Sequence, residues 1–362
     1  MNLGFWGKLK KPIMALAPMA DVTDAAFRRI IAKYSKYGGA DIFDARGKFT
    51  SPNFAKQNLG GPDVMFTEFV SADGLCHPVG REKLLIDLSY TEAERPIVAQ
   101  LFSGNPKKMY EAAKLVRELG FDGLDINMGC PDRSIEKSGA GAVLMKNPKL
   151  AREIIRAAKM GAGGVEGIPV SVKTRIGYNK NELETWLMEL LAEEPAVVTV
   201  HARTRKEMSN VPARWEEVKR AVEIRNRLNS QTFIFGNGDI LDLADAREKA
   251  RRTKCDGVML GRAIFGNPYL FSNFPPARAG QEFENRTEEE AIARKLKVLV
   301  EHAKLYETVL GERKSFAVMK KHFKAYAEGF EGAKDLRALL MGANDANEVK
   351  AIVAEYLYKT KK

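Results

Sequence analysis

Cys130 stands in Asn127-Met128-Gly129-Cys130-Pro131, directly after the apolar run 123–128 (GLDINM). A protonated thiol at such a place is a competent general acid wherever its thiolate can be tolerated. The next stretch, residues 134–144 (SIEKSGAGAVL), is rich in small residues and reads as a flexible loop. That would leave the thiol open to a cleft rather than packed. The other cysteines offer less. Cys255 follows the basic helix end Arg251-Arg252-Thr253-Lys254 and reads as structural. Cys76-His77 supplies two metal-ligand types without the two partners a zinc site needs, so no metal is expected. Three scattered cysteines argue against a disulfide framework and fit a reducing cytoplasm.

Other polar residues close apolar runs in the same way. Gln100 both donates and accepts, which suits the edge of a polar ring such as a flavin. Lys173 would put positive charge where a reduced flavin gathers negative charge. His201 could serve the ring or a phosphate. Plainer alternatives stay open for each: a solvated loop residue, a surface charge at a strand end, a satisfied core histidine. Gly236-Asn237-Gly238-Asp239 and Leu260-Gly261-Arg262-Ala263 close two further runs. Their glycines let backbone N–H groups approach an anion, and Arg262 adds a charge-assisted contact.

Something must hold these residues together. Eight apolar runs recur along the chain, at 12–19, 64–69, 97–102, 123–128, 170–175, 197–201, 233–237 and 257–261. Such continuous runs suit parallel strands buried on both faces. Between them lie amphipathic patterns at 24–34 (with Thr23 as its cap), 106–119, 147–160, 182–193, 215–228 and 241–252. Eight alternations predict a (β/α)8 TIM barrel rather than a doubly wound sheet, whose first strand would feed a glycine-rich turn; here it ends Ala17-Pro18-Met19-Ala20. Barrel sites form at the C-terminal ends of the strands, where Glu68, Gln100, Asn127, Lys173, Arg175, His201, Asn237 and Arg262 fall.

After Pro268 the alternation stops. A break at Phe274-Pro275-Pro276 and a linker at 277–284 lead to helical patterns at 288–310, 314–330, 333–341 and 347–358. The expected division is therefore a catalytic barrel over 1–276 and an all-helical domain over 277–362. Lys320, Lys321 and Lys324 share one helix side, leaving Phe316, Phe323, Tyr326 and Ala327 for the core. With 58 Lys and Arg against 47 Asp and Glu, the net charge of +11 favours a polyanionic partner. No run approaches the ~18 apolar residues of a membrane span, so no membrane partner is expected.

Taken in order, these motifs resemble the tRNA-dihydrouridine synthases. The likeness rests on Ala17-Pro18-Met19 with Val22-Thr23-Asp24, Phe66-Thr67-Glu68-Phe69, Gln100-Leu101-Phe102, Asp125-Ile126-Asn127-Met128-Gly129-Cys130-Pro131, Lys173-Thr174-Arg175, His201-Ala202-Arg203-Thr204 and the two glycine motifs. It implies FMN in the barrel mouth, NADPH as reductant, hydride transfer from N5 to uracil C6, and protonation of C5 by Cys130. By the same likeness Pro18, Met19, Gln100, Lys173, His201, Gly236, Asn237, Gly238, Gly261 and Arg262 are expected at FMN. Asn127, Arg175 and Arg203 are expected at the uracil or RNA, and Lys320, Lys321 and Lys324 at tRNA. A cytoplasmic monomer acting on tRNA is the resulting expectation. Reaching a stacked base requires its extrusion, at about a few kcal/mol, so contacts elsewhere on the RNA must offset that cost.

Residues 40–59 depart from the family pattern and read as an insertion of about 20 residues, of a kind that surface loops tolerate. Its Arg46, Lys48, Phe49, Phe54 and Lys56 mix basic and aromatic side chains, yet its place before a strand favours a structural or partner role. Two rivals share parts of this reading. A flavin ene-reductase or dehydrogenase acting on a small molecule would use the same barrel without the basic tail. A non-catalytic tRNA-binding or folding factor would keep all its activity after Cys130→Ala.

Overall fold

The computed structural model describes residues 1–50, 60–272 and 287–360. The runs become eight parallel strands: β1 (Ile13–Leu16), β2 (Met65–Ser71), β3 (Ile97–Phe102), β4 (Gly123–Met128), β5 (Val170–Arg175), β6 (Val197–His201), β7 (Phe233–Asn237) and β8 (Gly257–Leu260). They curl into a TIM-like α/β sheet in the order β1-β8-β7-β6-β5-β4-β3-β2. The two ends of that order meet at the parallel bridge Ala15↔Val64, where Leu16 N donates to Val64 O at 3.0 Å. Both faces are covered, so β4 and β7 are buried throughout.

The helices follow from their caps. Asp24, not Thr23, caps α1 (Ala25–Ile31), accepting from Phe27 N at 2.9 Å. In α2 (Ala72–Leu75) and α3 (Pro78–Leu84) the caps are Ser71 and His77, so His77 is spent on a helix start beside Cys76. Asn105 and Asn147, each followed by proline at the first helical position, start α4 (Pro106–Glu118) and α6 (Pro148–Gly161). Residues 134–144 are not a flexible loop. Asp132 caps α5 (Arg133–Lys137), accepting from Ser134 N at 2.8 Å, and the 3-10 turn Gly141–Lys146 buries Leu144. Then come α7 (Leu183–Leu191), α8 (Trp215–Arg227) and α9 (Leu243–Thr253), the last capped by Asp242 and so beginning later than its apolar pattern.

The chain forms two compact units. The first, Met1–Met19, Asp63–Leu88 and Arg95–Arg262, contains all eight strands. Its lower core is apolar: Trp6, Ile13, Phe66, Val98, Phe235 and Met259 pack together, with the Trp6 ring edge-on to Phe235 at 5.5 Å. Polar side chains also enter the middle of the sheet: Asp125, its register partner Ser171 and Gln100 are all buried.

The second unit comprises Ala20–Pro62, Ser89–Glu94 and Ala263–Lys362. It holds α1 together with α10 (Glu288–Leu310), α11 (Lys320–Tyr326), α12 (Ala333–Gly342) and α13 (Ala346–Lys359). Phe27 of α1 stacks near His322 at 5.0 Å and His302 at 5.6 Å. Lys33 bridges Asp41 and Glu301 at 2.6 and 2.5 Å. The expected boundary between residues 276 and 277 lies outside the described residues, as do residues 51–59 of the expected insertion with Phe54 and Lys56. The described part of that insertion turns at Gly47 through the Phe43↔Phe49 bridge, and Gly47 O accepts from Arg29 Nη1 at 3.1 Å. The pattern at 314–330 divides into a 3-10 turn, Phe316–Met319, and the short α11. Phe323, Tyr326 and Ala327 are buried as expected, while Phe316 is half-buried. Among the described residues no helix is long and apolar enough to cross a membrane.

Candidate active site

Register brings the strand-end residues together. Gln100 pairs with Asp125, Asn127 with Lys173, Arg175 with His201, and His201 with Asn237. Asn237 in turn pairs with Met259, and β8 pairs with β1, after which Pro18 and Met19 follow. One arc of the C-terminal rim thus carries these residues side by side.

Cys130 is half-buried, not open. Its N–H and that of Gly129 donate to Asn127 Oδ1 at 2.9 and 3.1 Å, and its carbonyl accepts from Ala142 N at 2.9 Å. Burial pushes the thiol above its ordinary range, with Asp132 adding to the rise; the Asp132 backbone, Lys173 and Arg175 oppose it. The group is therefore held as a thiol near neutral pH, with cations at hand for the thiolate. Arg175 braces the same turn: its Nε donates to Gly129 O at 2.8 Å, and its Nη1 to Thr204 O and Met208 O at 3.1 and 3.0 Å. Burial pulls Arg175 down to about 10, which leaves it charged.

Lys173 is half-buried and has neither a hydrogen bond nor an ion pair among the described residues. Burial, reinforced by Arg175, pulls it down to about 8 against the pull of Asp125 and Cys130. An ammonium kept without a partner at a strand end is a standing demand for an anion or acceptor. His201 is the neighbouring imidazole. Burial and then Lys173, Arg175, Arg203 and Arg262 drive its pKa well below the ordinary value, so it is neutral. Arg203 Nη1 lies 3.2 Å from His201 Nε2, and a guanidinium can only donate. Nε2 is then the acceptor and Nδ1 carries the proton.

The β7 and β8 ends form a cationic cradle. Asp239 accepts from Arg203 and, at 2.6 Å, from Arg262, whose side chain is otherwise exposed. Asn237 Nδ2 donates to Met259 O at 2.8 Å, tying β7 to β8. Gly236 is required by packing: a β-carbon there would lie 2.3 Å from the Trp215 ring, whose Nε1 donates to Gly238 O at 2.8 Å. Gly238 has φ +122, and a β-carbon would come 2.8 Å from Ala213. A β-carbon on Gly261 would meet nothing closer than Met19 Sδ at 3.5 Å, ordinary van der Waals contact, so Gly261 and Met19 are neighbours and a methyl group would fit between them.

Sequence reasoning passed over Asp125, Ser171 and Asp239 as site residues. Asp125 lies two before Asn127 on one strand and so on the same face, which was a legible signal. Gln100, expected at a ring edge, has both amide ends engaged: Nε2 donates to Asp125 at 2.6 Å and Oε1 accepts from Asn127 at 3.0 Å. Lys320, Lys321 and Lys324 lie in the second unit; Lys321 and Lys324 are exposed, and Lys321 pairs with Asp21 at 2.5 Å. Among the described residues no group of three or more His, Cys, Asp or Glu could hold a metal.

A family model described as Dihydrouridine synthase (Dus) matches residues 15–361. A probable tRNA-dihydrouridine synthase 2 from Bacillus subtilis (strain 168) is 35% identical over 358 residues, covering 98% of this chain and 97% of that protein. A probable tRNA-dihydrouridine synthase from Staphylococcus aureus (strain COL) is 34% identical, covering 98% of this chain and 96% of that protein. One from Staphylococcus epidermidis (strain ATCC 12228 / FDA PCI 1200) is 33% identical with the same coverage.

Proposed function

The chain belongs to the dihydrouridine synthase family, and from that premise we propose that it is a cytoplasmic oxidoreductase that reduces a uridine of tRNA to 5,6-dihydrouridine with FMN, recharged by NADPH. The observation that carries this reading is a thiol held protonated beside an unpartnered ammonium at one rim of the sheet. We read the sheet as a closed barrel with that rim as its mouth.

The residues present fit a flavin mononucleotide. Lys173 supplies a cation without a partner, His201 a neutral Nδ1–H donor, and Arg262 with the Gly238 and Gly261 turns a cationic cradle for a phosphate. Pro18, Met19, Gly236 and Asn237 would frame it. A flavin bound and reduced there supplies a hydride to uracil C6.

The chain does the rest. Cys130 Sγ–H gives its proton to C5 as the C5–C6 double bond is lost, and the sulfur is left as a thiolate. Lys173 and Arg175 stabilise that charge, which is what their opposition to the thiol's raised pKa amounts to. Asn127 fixes the turn carrying the sulfur and keeps one amide N–H free for a base edge. Arg175 and Arg203, at the same rim, would face the RNA. The exposed Lys321 and Lys324, with Lys320, would hold the polyanion elsewhere through the second unit.

The test compares NADPH consumption on unmodified tRNA with that on free uridine and quinones, and counts dihydrouridine in the RNA. We expect turnover on tRNA only, and a loss of about 10²-fold or more in Cys130→Ala with flavin absorbance unchanged. Turnover on quinones without tRNA reduction would return the reading to a small-molecule reductase.

A further inference from the structure

A chain of hydrogen bonds runs inward from Cys130 across three strands. The Gly129 and Cys130 N–H groups can only donate, so Asn127 must turn its Oδ1 toward them, at 3.1 and 2.9 Å. Asn127 Nδ2 then faces Gln100, which must present Oε1, at 3.0 Å. Gln100 Nε2 is thereby aimed at Asp125 Oδ2, 2.6 Å away, and Asp125 must accept. The other carboxylate oxygen accepts from Ser171 Oγ at 2.5 Å. Read from either end, every amide has one permitted orientation. Gln100 is further pinned by its own N–H, which donates to Thr67 Oγ1 at 3.1 Å where a bulge interrupts the β2–β3 register. Asp125, Gln100 and Ser171 are buried, so no water competes for these groups.

We propose that Asp125 is a positioning residue: as the obligate acceptor at the inner end of this chain, it sets the orientation of Gln100 and Asn127 and through them the placement of the Cys130 thiol. The inference rests on Cys130 being the proton donor of the proposed reaction, and it deepens that reading by naming what holds the donor. Asp125 acts through direction rather than charge. An amide in its place can still accept from Gln100 through its oxygen. Its NH2 then donates to Ser171 Oγ, whose own proton has Leu124 O as a second acceptor at 3.4 Å.

The readout is the rate of alkylation of Cys130 by iodoacetamide, resolved from Cys76 and Cys255 by peptide mass spectrometry, on the purified chain with its bound flavin and again without it. We expect Asp125→Asn to stay within about threefold of the parent, and Asp125→Ala to alkylate about tenfold faster as the turn loosens. Gln100→Glu sets two carboxylates face to face and should behave like Asp125→Ala. The double variant Asp125→Asn/Gln100→Glu exchanges donor and acceptor at that one contact and leaves an oxygen facing Asn127, so it should return to within about threefold of the parent. If Asp125→Ala fails to fold, the double variant against Gln100→Glu decides. Equal effects of Asp125→Asn and Asp125→Ala, or no recovery in the double variant, would overturn the proposal, since either makes the charge or mere packing the cause. Alkylation does not depend on tRNA reduction. A chain that alkylates as expected yet makes no dihydrouridine condemns the functional reading alone.

Discussion

Replacing Lys173 by methionine should strengthen the flavin-free fold while weakening flavin binding. The ammonium is charged in the unfolded chain up to about pH 10.5, its ordinary value, but only to about pH 8 in the folded one. Because the folded state disfavours the charged form, folding carries a penalty that is complete below about pH 8 and fades between there and pH 10.5. The gap of about 2.5 in pKa corresponds to roughly 3.4 kcal/mol at 1.36 kcal/mol per tenfold, and the residual solvent exposure of this half-buried side chain trims it toward about 2 kcal/mol. Methionine keeps the unbranched shape without the charge. Urea unfolding of the two flavin-free proteins at pH 7 should therefore show the variant more stable by about 2–3 kcal/mol, and the difference should fall to less than about half by pH 9.5. Visible absorbance after purification should show flavin lost. A variant less stable than the parent at pH 7, or a difference that does not shrink with pH, would refute the idea that this cation is kept at a cost for a ligand.

Gly236→Ala drives a β-carbon to 2.3 Å from the Trp215 ring and threatens its bond to Gly238 O, so urea unfolding should show a loss of about 2–4 kcal/mol. Gly261→Ala, whose nearest neighbour would be 3.5 Å away, should stay within about 1 kcal/mol. The alkylation rate of Cys130 should rise with a midpoint above the ~8.5 of a free thiol, and dihydrouridine formation should decline through the same alkaline range as the proton donor is titrated away. Reversing Lys320, Lys321 and Lys324 to Glu should raise the KM for tRNA about tenfold or more at low salt and leave flavin absorbance intact; unchanged RNA affinity would remove these lysines from the interface.

Much of the sheet was legible because buried parallel strands write themselves as short, mostly apolar runs bounded by turn residues. Ile97–Phe102, Gly123–Met128, Val170–Arg175, Val197–His201 and Phe233–Asn237 carry the bounds read from the residues alone. In the segment after Cys130 composition and capping point in opposite directions, and capping prevails. Gly139 and Gly141 suggest a loop, but Asp132 satisfies two free N–H groups and Ile135 and Leu144 bury, so the backbone has partners throughout. The company kept by α1 was not legible at all. Its Phe27, and Lys33 in the π-helical turn that follows it, meet His322 and Glu301, residues so remote in sequence that no local pattern announces the contact.

The same distinction separates the two kinds of site residue. Lys173 and Cys130 could be picked out because their types are costly at strand ends, and cost is readable from identity. For Asp125 only the face was legible, from its place two before Asn127; a carboxylate inside a strand looks like an error until its partners are known. Burial raises its pKa to about 6, against hydrogen bonds from Ser171 and Gln100, so those bonds and the nearby Lys173 are what keep it an acceptor at neutral pH. Its protonation would reverse the sense of the chain at its inner end and free Gln100 to turn. The thiol at the rim and the carboxylate beneath it are thus parts of one device, in which an ammonium without a partner of its own biases both: it favours the ionised form of Asp125 and of Cys130 alike. Neutralising Lys173 should therefore lift both pKa values together, which a flavin-free titration of Cys130 alkylation in Lys173→Met would register as a further alkaline displacement of its midpoint.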